Sequence, residues 1–245
     1  MPVRYLAMWS GPRNISTAMM RAWGNRSDTA VIDEPFYGYY LRQTGLPHPG
    51  FDEIVASQPS GWRDTVDSIT GAIPGGKSLY YQKHITTHML PEIELDWLAK
   101  LSHCFLIRAP ERVVASYSKT RPDANTDDLG YVQQHRLFDL ITVQQGHPPP
   151  VLDTERFLAH PEDQLRQVCQ QLDIEFEPGM LAWPAGIRET DGVWHPHWYA
   201  AVAQSTGFVD SRKPLPTLTE EQQSIAAECR PHYEALARHA IKSKV

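Results

Sequence analysis

Val3-Arg4-Tyr5-Leu6-Ala7-Met8-Trp9-Ser10-Gly11-Pro12-Arg13-Asn14-Ile15-Ser16-Thr17 is the stretch on which the architecture turns. Residues 3–9 form a short, partly alternating apolar run, residues 10–14 hold Gly11 and Pro12, and a helical pattern runs from about 15 to 23. The order is strand, loop, helix. The first amides of such a helix have no intrahelical acceptor, and its dipole adds partial positive charge at the same end, so the loop attracts an anion. Ser16 and Thr17 add hydroxyl donors, and Arg13 adds a charge able to follow negative charge developing on a bridging oxygen. A capped helix after a tight turn uses the same residue types, and this stretch alone does not separate the two readings.

Outward from it, the alternation continues. Residues 29–32 are a second apolar run ending at Asp33-Glu34-Pro35, with Pro35 suited to the first turn of a helix reaching residue 41. Residues 44–59, rich in Gly, Pro and His, read as an extended connection before a helix at 62–70. A tyrosine-rich strand at 78–84, a short helix at 94–101, a buried strand at 103–107 and a helix from Pro110 to about 119 follow. Helices at 130–145 and 161–172 flank a short strand at 151–153. The tail has an aromatic, histidine-rich part at 183–208, a Pro-rich part at 212–219 and a final helix at 220–240.

Strands alternating with helices predict an α/β fold of three layers, a mostly parallel central sheet covered on both faces. In such sheets ligands lie beyond the carboxyl ends of the strands, so Ser10, Glu34, His84 and Arg108 are expected to converge on one crevice. One domain over residues 1–245 is expected, with an irregular C-terminal cap at about 183–219.

Composition narrows the partners. A formal net charge of −6 speaks against a broad nucleic-acid surface, while leaving room for a small phosphorylated ligand held locally. No apolar run approaches the ~20 residues of a membrane span, and residues 1–4 lack the order of a signal peptide, so a cytoplasmic protein is expected. Cys104, Cys169 and Cys229 are scattered and odd in number, which suggests neither disulfides nor zinc. In that setting the Asn14 and Asn25 glycosylation patterns are chance matches. His84 with His88, and His195 with His197, lack a further ligand at metal spacing, so packed or solvated histidines are expected and no metal site.

A decoy also has to be weighed. Gly71-Ala72-Ile73-Pro74-Gly75-Gly76-Lys77-Ser78 satisfies the letters of a nucleotide-triphosphate P-loop, but it follows a helix and runs into a strand, the reverse of the working context. Pro74 also removes an amide donor.

Two separate segments carry a family likeness. Ser10-Gly11-Pro12-Arg13-Asn14-Ile15-Ser16-Thr17 resembles the 5′-phosphosulfate loop of sulfotransferases, and Leu106-Ile107-Arg108-Ala109-Pro110-Glu111-Arg112-Val113-Val114-Ala115-Ser116-Tyr117 resembles their 3′-phosphate segment. The resemblance implies a P-loop-like sulfotransferase fold, 3′-phosphoadenylyl sulfate as donor and no metal. It assigns Gly11, Pro12, Arg13, Asn14, Ile15, Ser16 and Thr17 to the phosphosulfate, and Arg108 with Ser116 to the 3′-phosphate. Arg108 leaves the sheet edge and Ser116 lies about two turns into the next helix, so a guanidinium and a hydroxyl can grip one phosphate. The plain alternative is Arg108 paired with Glu111 and Ser116 turned inward.

The resemblance implies further roles. Lys83 stands where related enzymes carry a basic residue near the transferred group. The cytosolic subfamily has a catalytic His two residues on, a place held here by Ile85; the adjacent His84 is the second candidate for the catalytic base, although successive strand residues face opposite ways. Glu34, in Asp33-Glu34-Pro35-Phe36, resembles the Glu that takes the acceptor proton in another subgroup, and like charge from the donor phosphates is expected to raise its pKa. Its plain alternative is an acid complementing a helix dipole. Trp194 falls in a segment that loosely resembles the one covering the nucleotide, so it is a candidate to stack on adenine, against the alternative of packing.

These readings describe a transferase that passes a sulfuryl group to a hydroxyl or amine of a small molecule or sugar. His48, Phe51, Trp62 and the tyrosines at 37, 39 and 40 are candidates for the acceptor pocket. The rivals are a small-molecule kinase using ATP and Lys77, and a nucleotide-binding module without catalysis, which has no need of a base at Glu34. A homodimer is compatible with the sequence but not required by it.

Overall fold

Strand β1 (Arg4–Ser10) shows why the chain folds in three layers. Its alternate residues part company: Leu6 and Met8 enter one buried apolar cluster, Ala7 and Trp9 another. A strand apolar on both faces needs cover on both. The computed structural model, which describes residues 4–209 and 214–242, supplies it.

The sheet holds β1, β2 (Thr29–Asp33), β3 (Leu79–Ile85), β4 (Ser102–Ile107) and β5 (Val151–Asp153) in the order β2-β3-β1-β4-β5. All pairings are parallel, which tightens the expected "mostly parallel" sheet. Helix α1 (Ser16–Gly24) packs on one face. The other face carries α2 (Tyr37–Thr44), α4 (Trp62–Thr70) and α6 (Tyr131–Gln145), with α3 (Phe51–Ser57) beside α2 and α5 (Pro110–Tyr117) following β4. Helices α7 (Thr154–Ala159) and α8 (Pro161–Gln171) join α1, and α11 (Glu220–Ala237) closes the face of α6. Between them lie two single turns, α9 (His195–Trp198) and α10 (Ala200–Ala203).

Several boundaries differ from expectation. The connection at 44–59 contains α3, hidden because Gly50 and Pro47 punctuate its approach. Pro35 precedes α2, which begins at Tyr37. The helix expected at 94–101 is a 3₁₀ turn over Asp96–Lys100. Helix α7 was missed because it leaves β5 directly: the Asp153 carboxylate accepts the Arg156 amide at 3.1 Å and starts the helix with no intervening loop. Val3, Arg212 and Lys213, at the edges of two expected segments, lie outside the described residues.

The decoy loop is a turn over Pro74–Gly76 at the amino end of β3, the opposite edge of the sheet from the α1 loop. The Lys77 ammonium there donates to the Ser27 carbonyl at 2.7 Å. Among the described residues no helix is long and apolar enough to cross a membrane.

Candidate active site

The loop from β1 to α1 is fixed by its own side chains. Asn14 Nδ2 donates to the Leu106 carbonyl at 3.1 Å, while its Oδ1 accepts from the Ile15 amide at 3.0 Å and from the Thr154 hydroxyl. One amide side chain therefore ties the loop to the ends of β4 and β5. Gly11 has a steric reason: a Cβ there would stand 2.8 Å from the Leu129 carbonyl oxygen. Arg13 adopts a left-handed backbone, φ 54°, unusual for a residue with a side chain.

Two cations meet beyond this loop. Arg13 Nε donates to Ser116 Oγ at 3.1 Å, and Arg108 Nη1 donates to the Arg13 carbonyl at 2.9 Å. Tyr131 donates its hydroxyl to the Arg108 carbonyl at 2.7 Å, fixing the turn from β4 into α5. Arg108 shares Glu155 with Arg112, at 3.3 and 3.1 Å, rather than pairing with Glu111. Arg13 has no carboxylate partner among the described residues, and burial with the neighbouring Arg108 charge pulls its pKa below the ordinary arginine value. A half-buried guanidinium beside another is the charge pattern of an anion site.

On the far side stands a second charge cluster. Glu34 follows β2 with φ 40°, its amide donating to the Lys83 carbonyl at 2.9 Å and its carbonyl accepting from Gln58 at 2.9 Å. Lys83 is 1 % exposed, and its ammonium donates to Asp33 Oδ1 at 2.9 Å, to Glu34 Oε1 and to the Tyr199 hydroxyl at 3.0 Å. Burial lowers the Lys83 pKa, but Asp33 and Glu34 outweigh it and hold the ammonium charged well above the ordinary range. Burial raises the Glu34 pKa, against the pull of Lys83 and with a push from Asp33. Burial is the largest of these causes, and it acts without any charge from a bound donor. His88, buried and stacked on Tyr37 at 4.7 Å, places Nδ1 4.0 Å from Glu34 Oε2.

A crevice of about 460 Å³ joins the two clusters. Pro12 through Thr17, Arg108 and Ser116 line one part, and Glu34 and Lys83 another. Tyr37, Tyr40, His48, His88 and Trp198 add an aromatic wall. With this geometry in hand, a family model described as a sulfotransferase domain matches residues 3–240. The chain belongs to the sulfotransferase-domain family. Solved sulfotransferases share its fold: one from Alicyclobacillus acidocaldarius, with a TM-score of 0.58, 12% identity and 98% coverage of both chains, and the sulfotransferase domain of the curacin biosynthetic pathway, with 0.51, 16% and coverage of 94% of this chain and 98% of that one. A mouse sulfotransferase solved as a complex with PAP aligns with a TM-score of 0.50 and 10% identity over 94% of this chain and 84% of its own. By sequence the chain is 34% identical over 236 residues to branched-chain-amino-acid aminotransferase-like protein 1 of Arabidopsis thaliana, covering 96% of this chain and 42% of that protein. Protein 2 of the same name is 33% identical, with 94% and 41% covered. The chain thus spans less than half the length of these relatives.

Two expectations are corrected in this sulfotransferase-family chain. His84 points away from the crevice: β3 alternation sends it to the face opposite Lys83, where its ring stacks on Trp9 at 4.3 Å and Nε2 hydrogen-bonds Gln82 at 3.2 Å. Burial drives its pKa down to about 3, so it is a neutral core residue. Trp194 is 2 % exposed, packed edge-on against Tyr37 at 5.2 Å and donating to the Tyr199 hydroxyl at 3.2 Å; its ring fills the cap interior and does not line the crevice. Of the acceptor candidates, Tyr37, Tyr40 and His48 line the crevice, and Tyr39, Phe51 and Trp62 do not. The fold places Tyr199 against Lys83 and His88 near Glu34; in the sequence Tyr199 stands only within the segment that loosely resembles a nucleotide cover, and His88 only as one of a histidine pair.

Proposed function

We propose that this sulfotransferase-family chain takes the sulfuryl group of 3′-phosphoadenylyl sulfate and passes it to a hydroxyl or amine of a small molecule or sugar. The observation that carries the reading is the contact of Arg13 with Ser116, which brings two separate family segments to one anion-binding corner. Arg13, lacking a carboxylate partner among the described residues, fits a ligand that supplies negative charge.

In this reading the amides at the start of α1, with Ser16 and Thr17, hold the phosphosulfate, and Arg108 with Ser116 holds the 3′-phosphate. Glu155, now shared by Arg108 and Arg112, gives up part of its hold on Arg108 when phosphate binds. The donor supplies an activated sulfuryl group. Glu34 takes the acceptor's proton; burial raises its pKa and makes it a stronger base than an exposed carboxylate, while the Lys83 ammonium favours its ionised form. Lys83 and Arg13 present fixed positive charge to the crevice, the usual main source of rate in transfers of charged groups. Tyr37, Tyr40 and Trp198 suit a small, partly apolar acceptor.

The names of the plant relatives raise aminotransferase chemistry, in which a lysine must shed its proton to form a Schiff base. Lys83 sits between two carboxylates that hold it charged, so it is poorly suited to that role. The kinase rival depends on Lys77, which is at the wrong edge of the sheet. Melting curves separate the readings: adenosine 3′,5′-bisphosphate without metal raises the melting temperature of both the parent chain and Lys77→Ala, and ATP with magnesium does not. Stabilisation by ATP and magnesium that vanishes in Lys77→Ala overturns the sulfuryl-transfer reading in favour of the kinase.

A further inference from the structure

An ammonium has three N–H donors, and those of Lys83 are all engaged, by Asp33, Glu34 and Tyr199. Glu34 is the proposed base. The other two partners belong to a closed arrangement of their own: the Tyr199 hydroxyl donates to Asp33 Oδ2 at 2.6 Å, and the same oxygen accepts the Gly192 amide at 3.1 Å. Trp194 donates to the Tyr199 oxygen at 3.2 Å. Tyr199 is 4 % exposed, yet it lines the crevice with Lys83 and Glu34.

This hydroxyl comes from the C-terminal cap, 116 residues beyond Lys83. The cap is pinned to α1 by Arg21 and Asp191, an ion pair 2.6 Å long with both side chains almost wholly buried. Breaking a buried ion pair by removing one partner is costly, so the pair holds this part of the cap against α1.

We propose that Tyr199 and Asp33 are positioning residues for Lys83, so that the C-terminal cap supplies part of the active site. They direct the ammonium into the crevice and keep it charged when Glu34 accepts a proton and its own hold on Lys83 weakens. The inference rests on the sulfuryl-transfer reading for its catalytic meaning, but its physical content is the state of one lysine.

The test reads that lysine directly. Reductive methylation with ¹³C-formaldehyde labels lysines through their neutral form, and the Lys83 signal is identified by its loss in Lys83→Arg. In Tyr199→Phe and in the isosteric Asp33→Asn, Lys83 is methylated about tenfold faster than in the parent chain, while affinity for adenosine 3′,5′-bisphosphate stays within about twofold. Trp183→Phe disturbs the same cap, where its indole donates to the Ser205 hydroxyl at 3.2 Å, without removing any partner of Tyr199 or Lys83, and leaves the reactivity of Lys83 unchanged. Unchanged Lys83 reactivity in the first two variants, or an equal rise in Trp183→Phe, overturns the assignment. Failure of the parent chain to bind the bisphosphate sinks the donor reading instead, a result separate from the reactivity of Lys83.

Discussion

Arg13 Nε donates to Ser116 Oγ across 3.1 Å, joining residues 103 apart in the chain. Each partner belongs to one proposed phosphate site, so the contact couples the loop after β1 to the helix after β4. Removing the hydroxyl in Ser116→Ala is expected to weaken bisphosphate binding about tenfold, the worth of one charge-assisted hydrogen bond. Arg108→Ala with Ser116→Ala abolishes it. Calorimetric titration of the folded variants checks both, and intact binding by the double variant removes the 3′-phosphate assignment.

Glu34→Gln keeps the shape of the side chain and removes its basicity. Turnover is expected to drop by about 10² to 10⁴, with bisphosphate affinity little changed. Because burial raises the Glu34 pKa, and catalysis needs the ionised form, activity in the parent chain falls as pH drops through a value above the ordinary carboxylate range. A pH–rate profile of kcat compares the two. A variant with full turnover excludes Glu34 as the base.

His84 and its neighbours make the fold sensitive to acid for a different reason. Burial lowers His84 to about 3 and His103 to about 4, and places His88 well below the usual value. Each is neutral in the folded state, whereas the unfolded chain takes up protons below about pH 6.5. Their contribution to stability is therefore complete above that pH and is lost as pH falls toward the folded values. For His84 alone the loss is roughly 2 kcal/mol by pH 5. His84→Phe should flatten the fall in melting temperature between pH 6.5 and 5, roughly the range set by the unfolded value, and leave turnover at neutral pH intact. Identical slopes for variant and parent in scanning calorimetry contradict this account.

Where residues act next to one another in sequence, the fold and site were legible. The order of β1, loop and α1 is legible in residues 3–23 because an apolar run, a Gly-Pro break and a helical period are local signals. Arg108 and Ser116 were legible because a strand end and two helical turns fix their spacing. Tyr199 was not. Its hydroxyl meets Asp33 and Lys83 across more than 110 residues, a contact that no local pattern in the tail encodes. His84 shows the opposite case: strand alternation already indicated that it and Lys83 face apart, and packing on Trp9 bears this out. Helix α3 stayed hidden because Pro and Gly before a short helix look like the loop they interrupt.

Arg13 and Glu34 share one more property, the left-handed backbone that side chains disfavour by about 1 kcal/mol or more. Glycine would relax the backbone at either position, but at 34 it would also strip the buried Lys83 ammonium of a carboxylate partner, a loss larger than the strain relieved. A mutant library sorted only for survival on heating would thus drift toward glycine at 13, and its hardiest members would have discarded the cation of the loop. Thermal selection and catalytic selection pull in opposite directions at this one point of the chain.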